Sequence, residues 1–297
     1  MNEAIERTVA QLPPSGQKIR VIFDTDIDNE IDDLYAIALA MFSPDRFVIE
    51  GFSAAHFAQR EGSDSIERSY ALLQQMIEVA GVCSAVPIVR GSHPMRYSDD
   101  ICASDGARLI IERAHADADG PLWVVGLGAA STLTAALLID PSIAPKVRYL
   151  YHARSEHTWP THCDQFNVYG DIWAARNLLT SNVPLVWFDT GAQLVCSMQT
   201  TEERLAPLGK MGAFLHEYRF RNEYYQRSDK GFFDVGDIAW MIDPALCASE
   251  IIDVPYMDFA MRFQRRDNLG QMLRVSQVQP EPTWELFFAR MQAAAGS

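Results

Sequence analysis

Six carboxylates lie within the ten residues from Asp24 to Asp33. They follow the run 18–23, which has the pattern of a buried strand, and precede the run 34–40, which has the pattern of a helix. The acids are therefore expected on a loop at the carboxyl end of a strand, where ligands bind in open α/β sheets. Like charges this close favour protonation or a bound cation, and oxygen ligands suit calcium or magnesium. A solvated acidic turn is the alternative interpretation.

Strand and helix patterns alternate along most of the chain. The runs with strand character are 18–23, 47–53, 86–89, 122–126, 147–151 and 183–188, and those with helical character are 34–40, 65–79, 103–116, 132–139 and 172–180. This alternation predicts an α/β fold of three layers, with an open, mostly parallel sheet and helices on both faces.

The rest of the chain divides more simply. Residues 202–250 are helical and aromatic in pattern, and weaker strand signals follow near 251–263 and 272–278. Residues 1–17 form a polar lead-in. No linker interrupts residues 18–297, so the sequence predicts a single domain there.

Composition excludes several classes of partner. The 297 residues carry a net charge of −14, which argues against nucleic acid or an anionic membrane as the main partner. The start of the chain lacks the apolar segment of a secretory signal, and no apolar run has membrane-spanning length. The five cysteines are scattered and form no CxxC pair, so neither a disulfide framework nor a structural zinc site is expected. These features predict a cytoplasmic protein.

Two other acidic-loop chemistries fit fewer residues. An EF-hand needs glycine and a bidentate glutamate where this chain has Asn29 and Tyr35. A phosphatase of the haloacid dehalogenase type would use Asp24 and Asp26, with Asp237 in its late acidic motif. That fold's loop does not usually continue into a second Asp-Asp pair, so this interpretation is a remote alternative.

The segment 24–37 (DTDIDNEIDDLYAI) resembles the signature of the inosine–uridine-preferring nucleoside hydrolase family, in a form whose loop is two residues longer. Residues 126–133 (GLGAASTL) are similar to the family's central Gly-Pro-Leu-Thr-Asn turn, and residues 165–168 (QFNV) resemble its Glu-Phe-Asn block. Residues 236–239 (GDIA) resemble its late aspartate motif. The resemblance extends from about residue 18 to 290.

The resemblance implies a calcium-dependent N-ribohydrolase. Its metal ligands would be Asp26, a bidentate Asp33, Asp237 and the main-chain carbonyl of Ala129. The remaining coordination positions would hold a nucleophilic water and two ribose hydroxyls. Members of the family are usually dimers or tetramers, so the resemblance also implies a homodimer or homotetramer.

The same resemblance implies roles for the surrounding polar residues. Asp26 would be the general base, and Asp32 and Asn167 would hydrogen-bond the ribose hydroxyls. Gln165 would also contact the sugar, and Asp24 would support the metal ligands.

The chain departs from the family pattern at four places. Asp28 replaces a loop glycine, Gln165 replaces a glutamate, and Gly236 stands where some members carry a histidine for the leaving group. His56 and Phe57 stand in place of an expected asparagine. The metal ligands are retained, whereas the group that assists the leaving base is not identified.

Histidines and aromatic residues are the candidates for that assistance: His56, His157, His162, Trp159, Tyr218, Tyr224 and Tyr225. We expect Tyr224 or Tyr225 to stack on the base. The five-residue spacing of His152, His157 and His162 does not align them on one helix face, so they are interpreted as solvated loop histidines rather than a metal site. The sequence therefore predicts calcium-dependent hydrolysis of a ribonucleoside or related N-riboside. The alternative is a catalytically weak ribose- or nucleoside-binding protein on the same fold.

Overall fold

Runs rich in β-branched and aromatic residues form the strands. The computed structural model describes residues 5–296. Its strands are β1 (Ile19–Thr25), β2 (Phe47–Ala54), β3 (Ile88–Arg90), β4 (Leu122–Gly126), β5 (Val147–His152), β6 (Leu185–Phe188), β7 (Cys247–Asp253), β8 (Tyr256–Met257), β9 (Phe263–Gln264) and β10 (Gln271–Val278).

Helices connect most of these strands. They are α1 (Asp32–Met41), α2 (Ala58–Glu61), α3 (Ser65–Ala80), α4 (Asp105–His115), α5 (Ser131–Ile139), α6 (Phe166–Gly170), α7 (Ile172–Thr180), α8 (Met198–Arg204), α9 (Gly209–Tyr218), α10 (Glu223–Gln226), α11 (Val235–Ile242) and α12 (Pro280–Ala295). Short 3₁₀ turns span Gly62–Asp64, Pro141–Lys146, Arg219–Arg221 and Pro244–Leu246.

Eight strands form one sheet in the order β3-β2-β1-β4-β5-β6-β10-β7. All neighbours are parallel except β10 and β7, which are antiparallel. The chain moves outward from β1 through β2 to β3 and then returns to the other side of β1 as β4. The strand order thus reverses between β1 and β4, and the crevice at such a point is the usual ligand site of an open sheet.

Each face of the sheet is covered by helices and has its own apolar core. One core contains residues of α1, α3, α11 and α12, and the other contains residues of α4, α5 and α7. The predicted three-layer α/β fold is therefore confirmed. No helix among residues 5–296 combines the length and apolar character needed to cross a membrane.

The C-terminal helix α12 was not foreseen from the sequence. Pro280 and Pro282 suggest a break, but proline is tolerated in the first turn of a helix because the amide groups there have no intrahelical acceptor. Its buried Trp284, Phe287, Phe288 and Met291 follow helical spacing and pack on the core beside α1. The same spacing in the sequence could have revealed the helix.

The described part of the lead-in packs on the domain. Arg7 is buried and donates hydrogen bonds to the carbonyl of Leu179 at 3.0 Å and to that of Leu178 at 3.2 Å, at the end of α7. Ala10 is also buried. The boundary at residue 17 and the single-domain organisation stay predictions.

A buried relay of polar side chains joins the loops at the carboxyl edge of the sheet. The His56 ring shares a hydrogen bond of 2.8 Å with the Ser131 hydroxyl, which donates to Asp171 at 2.6 Å. Asp171 also accepts from the amide groups of Met95 and Ala174, each at 2.9 Å, and thereby caps α7.

We predict that Asp171→Ala lowers the free energy of unfolding by about 2–4 kcal/mol, because a helix cap is lost and three buried donors lose their acceptor. Urea unfolding measures the change. The control is Asp243→Ala, which removes an exposed cap on Ala245 and should cost about 1 kcal/mol or less. Equal losses in the two variants would contradict the assigned role of the relay.

Candidate active site

An acidic cavity of about 320 Å³ opens at the carboxyl ends of the strands, a volume suited to a small-molecule ligand. Its acidic lining residues are Asp26, Glu30, Asp32, Asp33, Glu156, Asp164 and Asp234. Its aromatic and amide lining residues include Phe166, Tyr224, Phe233, Asn29, Gln165 and Asn167. The cavity therefore combines many hydrogen-bond acceptors with apolar ring surfaces.

The acidic loop is held in shape by its own hydrogen bonds. Asp26 follows β1 directly. The backbone amide of Asn29 donates to the Asp26 carbonyl at 2.7 Å, and its side-chain amide donates to the Asp26 carboxylate at 2.9 Å. The Thr25 hydroxyl donates to the carboxylate of Asp33. Asp32 and Asp33 form the first turn of α1, where the positive end of the helix dipole stabilises negative charge.

The two further loop acids are each tied to another element. Asp28 pairs with Arg68 of α3 at 2.6 Å and accepts a hydrogen bond from the Tyr218 hydroxyl at 3.1 Å. Glu30 pairs with the buried Lys230 at 2.8 Å. The extra charge at Asp28 is thus neutralised outside the cavity.

Residues from β4 and β5 complete the base of the cavity. The turn after β4 lies against the acidic loop, since a Cβ added at Gly128 would be 3.2 Å from the Cβ of Asp26. The side-chain amide of Asn167 donates to the carbonyl of Leu127 at 2.5 Å and to that of His152 at 3.1 Å. Asn167 therefore joins the ends of β4 and β5 at the cavity floor.

Several buried carboxylates of the site have raised pKa values. Burial, followed by the charges of Asp33 and Asp32, raises the pKa of Asp26 well above its usual range. Burial and then the charge of Asp32 raise the pKa of Asp33 to about 7. Burial raises the pKa of Asp24 to about 7 and that of Asp237 to about 6, although the neighbouring His152 opposes the latter shift. This electrostatic strain is what a bound cation would relieve.

Among residues 5–296, two groups of side chains have the spacing to hold a metal ion. His152, Asp234 and Asp237 form one group, and Asp32, Asp33 and Asp234 form the other, with potential ligand atoms within 4.8 Å of one another in each. The Oδ2 atom of Asp237 is 2.7 Å from His152 Nδ1, while its buried Oδ1 atom has no hydrogen-bond partner. A carboxylate-rich set with an orphaned buried oxygen fits a hard cation.

The structure brings most of the predicted site residues together. Those on the cavity wall are Asp26, Asp32, Asp33, Asn167, Gln165 and Tyr224. Asp24, Ala129 and Asp237 are buried beside the cavity and do not line it.

The other three predicted residues are not part of the cavity wall. His56 is 1% exposed and belongs to the relay with Ser131, and burial followed by the nearby His93 lowers its pKa to about 4. Trp159 packs on Phe263, with ring centroids 5.1 Å apart, and the Arg274 guanidinium lies 4.6 Å from its ring.

Tyr225 supports the acidic loop from behind. Its hydroxyl donates to the carbonyl of Asn29 at 3.3 Å, and its ring stacks on Tyr218. Tyr224, in contrast to Tyr225, lines the cavity and is 38% exposed.

The sequence patterns did not indicate several titratable residues at the site. They include His152, Asp234 and Lys230, and also Arg154, Glu156 and Asp164 on the cavity wall. The interpretation of His152 as a solvated loop histidine is wrong, because it ends β5 and is 2% exposed. His157, with a side chain that is 77% exposed, does match that interpretation. The available signals were the position of His152 at the end of a strand and that of Asp234 one helical turn before Asp237.

Comparisons with known proteins agree with this geometry. The family model for inosine-uridine preferring nucleoside hydrolase matches residues 21–286. The pyrimidine-specific ribonucleoside hydrolase RihB of Shigella flexneri is 29% identical over 151 residues, which is 48% of this chain and 48% of that protein. The chain thus aligns with about half the length of the curated relatives that it matches.

Solved structures share the fold over nearly the whole chain. The plant nucleoside hydrolase PpNRh1 has a TM-score of 0.73 at 18% identity, covering 93% of this chain and 100% of its own. The purine-preferring ribonucleoside hydrolase of Gardnerella vaginalis has a TM-score of 0.73 at 18% identity, covering 93% and 99%.

The fold and the family match define the class as α/β proteins with the nucleoside hydrolase fold. Within it, the chain belongs to the inosine–uridine preferring nucleoside hydrolase family.

Gly236 faces the core rather than the cavity. A Cβ there would lie 2.9 Å from Phe188 Cζ and 3.1 Å from Leu194 Cδ1. We predict that Gly236→His lowers the free energy of unfolding by about 1–3 kcal/mol through overpacking and does not accelerate nucleoside hydrolysis. Urea unfolding and a nucleoside assay measure both effects, with Gly296→His as the control, because a Cβ there would come no closer than 3.7 Å to another residue. A stable, faster Gly236→His variant would contradict this placement.

The raised carboxyl pKa values predict how stability varies with pH. Without metal, the folded state holds protons on Asp24, Asp33 and Asp237 that the unfolded chain releases near pH 4. Their contribution is present below pH 4 and is lost as the pH rises through 6 to 7. Each proton held costs about 1.4 kcal/mol per pH unit, so chelator-treated protein should be less stable at pH 8 than at pH 5 by roughly 3–7 kcal/mol.

Calcium should restore more stability at pH 8 than at pH 5, because protons compete with the cation for the same oxygens. Urea unfolding at both values, with magnesium and sodium at matched ionic strength as controls, measures this difference. Equal stabilisation at pH 5 and pH 8 would count against a carboxylate site.

Proposed function

We propose that this protein hydrolyses the N-glycosidic bond of a ribonucleoside or related N-riboside in a calcium-dependent reaction, giving ribose and the free base. The observation that carries the proposal is the convergence of the acidic loop, the turn after β4 and the start of α11 around one cavity at the sheet's switch point. Family membership supports the reaction class.

The metal ligands that we propose are Asp26, Asp33, Asp237 and the main-chain carbonyl of Ala129. Asp234 belongs to both groups of potential ligands and is a further candidate. When bound, calcium would orient water and the ribose hydroxyls and would offset the repulsion among the carboxylates.

Asp26 is proposed as the general base. Its Oδ2 atom accepts from Asn29, which fixes the carboxylate at the cavity wall and leaves Oδ1 for a water proton. A carboxylate in this role is typically worth a factor of about 10² to 10⁴ in rate.

The other polar residues are proposed to bind the sugar. Asp32 and Asn167 would accept hydrogen bonds from ribose hydroxyls, and the surrounding carboxylates would stabilise the oxocarbenium-like transition state. Tyr224 and Phe233 provide aromatic surface on the cavity wall, and we propose that the base packs there.

A catalytically weak ribose- or nucleoside-binding protein is the second candidate, and Gln165 is the observation that favours it. Its side-chain oxygen accepts from the amides of Asn167 at 2.8 Å and Val168 at 3.4 Å, and so caps α6. The amide nitrogen is then what remains for a ligand, so an anionic acceptor has been exchanged for a donor. A cytoplasmic location and a homodimeric or homotetrameric state stay predictions.

Release of nitrophenolate from p-nitrophenyl β-riboside tests the hydrolytic site directly, because this leaving group departs without protonation. We expect release by the wild type, at least a tenfold loss with a chelator, and recovery on adding calcium. Asp26→Asn should lower kcat by at least about 10²-fold.

The matched control is Asp267→Asn, an exposed acid paired with Arg265 far from the cavity, which should leave the rate unchanged. Release that is insensitive to chelation, or an active Asp26→Asn variant, would refute the proposed mechanism. A calcium-binding but inactive wild type that binds inosine in calorimetry would establish the binding role instead.

A further inference from the structure

Lys230 is a fully buried lysine behind the cavity wall, in the segment between α10 and α11. Its ammonium nitrogen lies 2.8 Å from Glu30 Oε2 and 3.4 Å from Asp32 Oδ1, and it donates to the carbonyl of Gly231. Burying a lysine is costly unless it is paired. The ion pairs with the two carboxylates offset the cost of burying the Lys230 ammonium group.

The same ammonium group lies against the aromatic wall. It is 4.7 Å from the ring centroid of Phe233 and 5.5 Å from that of Tyr224, both of which line the cavity. Its four polar and aromatic neighbours on the wall come from two chain segments that are about 200 residues apart. Lys230 therefore connects the acidic loop to the aromatic surface.

No other basic side chain among residues 5–296 forms an ion pair with Asp32. Glu30 has a second cation nearby, but the Arg60 side chain is 44% exposed and 3.7 Å away. The Lys230–Asp32 contact is 3.4 Å long but buried, so solvent and salt weaken it less than they weaken an exposed ion pair.

We propose that Lys230 is a positioning residue for sugar recognition, which holds Asp32 and the longer acidic loop in the orientation that accepts a hydrogen bond from a ribose hydroxyl. This inference rests on the proposed function. Glu30 belongs to the same network. Glu30 and Asp32 contact one ammonium group, which keeps the two carboxylates at a fixed separation.

The test compares Lys230→Met, Lys230→Arg and Asp32→Asn in the p-nitrophenyl riboside assay. We expect Lys230→Met to lower kcat/KM by 10- to 100-fold and Lys230→Arg to recover most of that loss. In Asp32→Asn, adding Lys230→Met should cost less than threefold, because the two changes remove the same interaction. The control Arg265→Met removes an exposed cation that pairs with Asp267 and should change nothing.

A second readout separates positioning from collapse of the loop. Calcium affinity by calorimetry should not weaken in Lys230→Met, because removing a nearby positive charge cannot disfavour a cation electrostatically. A fall of more than tenfold in calcium affinity, or equal effects of Lys230→Met with and without Asp32, would overturn the proposal and leave a purely structural lysine.

Two further experiments cover a variant that does not fold and a wild type that is inactive. If Lys230→Met does not fold, the double variant Glu30→Gln/Lys230→Met replaces it in the comparison, because it also removes the part-buried Glu30 carboxylate that would be left without its partner. If the wild type releases no nitrophenolate, the proposed function fails, and the same variants are compared by calorimetry with inosine, 2′-deoxyinosine and 3′-deoxyinosine. An affinity loss confined to the nucleosides that retain the hydroxyl bound by Asp32 supports the role of Lys230, and a uniform loss overturns it.

Discussion

The repulsion among carboxylates buried at one edge of the sheet is the constraint on which the rest of the site depends. Asp26, Asp33, Asp234 and Asp237 are all less than 5% exposed. Their negative charges can coexist only with counter-charges supplied at fixed positions. The protein supplies the positive end of α1 and a hydrogen bond between His152 Nδ1 and Asp237 Oδ2, and a bound cation would supply the rest.

Side chains outside the cavity hold this arrangement in place. The His56–Ser131–Asp171 relay lies to one side of the acidic loop, and Tyr218 and Tyr225 brace the other side. These contacts come from loops and helix starts at a single edge of a parallel sheet. His56, Tyr218 and Tyr225, which are candidates for chemistry in the sequence, thus lie behind the cavity wall, where His56 hydrogen-bonds to Ser131 and the two tyrosines hydrogen-bond to the acidic loop.

Sequence patterns predicted the fold and the centre of the site because both depend on local signals. Alternating apolar runs identify strands and helices, and the acids around Asp26 and Asp33 are contiguous. Contributions from distant segments were harder to foresee. Asp234 and Lys230 are about 200 residues away from the acidic loop, and no local pattern indicates which distant charges will meet it. The burial of His56 and the inward direction of Gly236 depend on packing from other elements, which a single sequence does not display.

The wide separation of the site's segments has a consequence for how the protein folds. The acidic loop lies within the first 33 residues, whereas Asp234 and Asp237 lie at the start of α11. Bringing them together requires a loop of about 200 residues to close, and contacts of such long range slow folding. A cation bound there would join two segments that are distant along the chain. Its removal would therefore destabilise the start of α11 as well as the acidic loop.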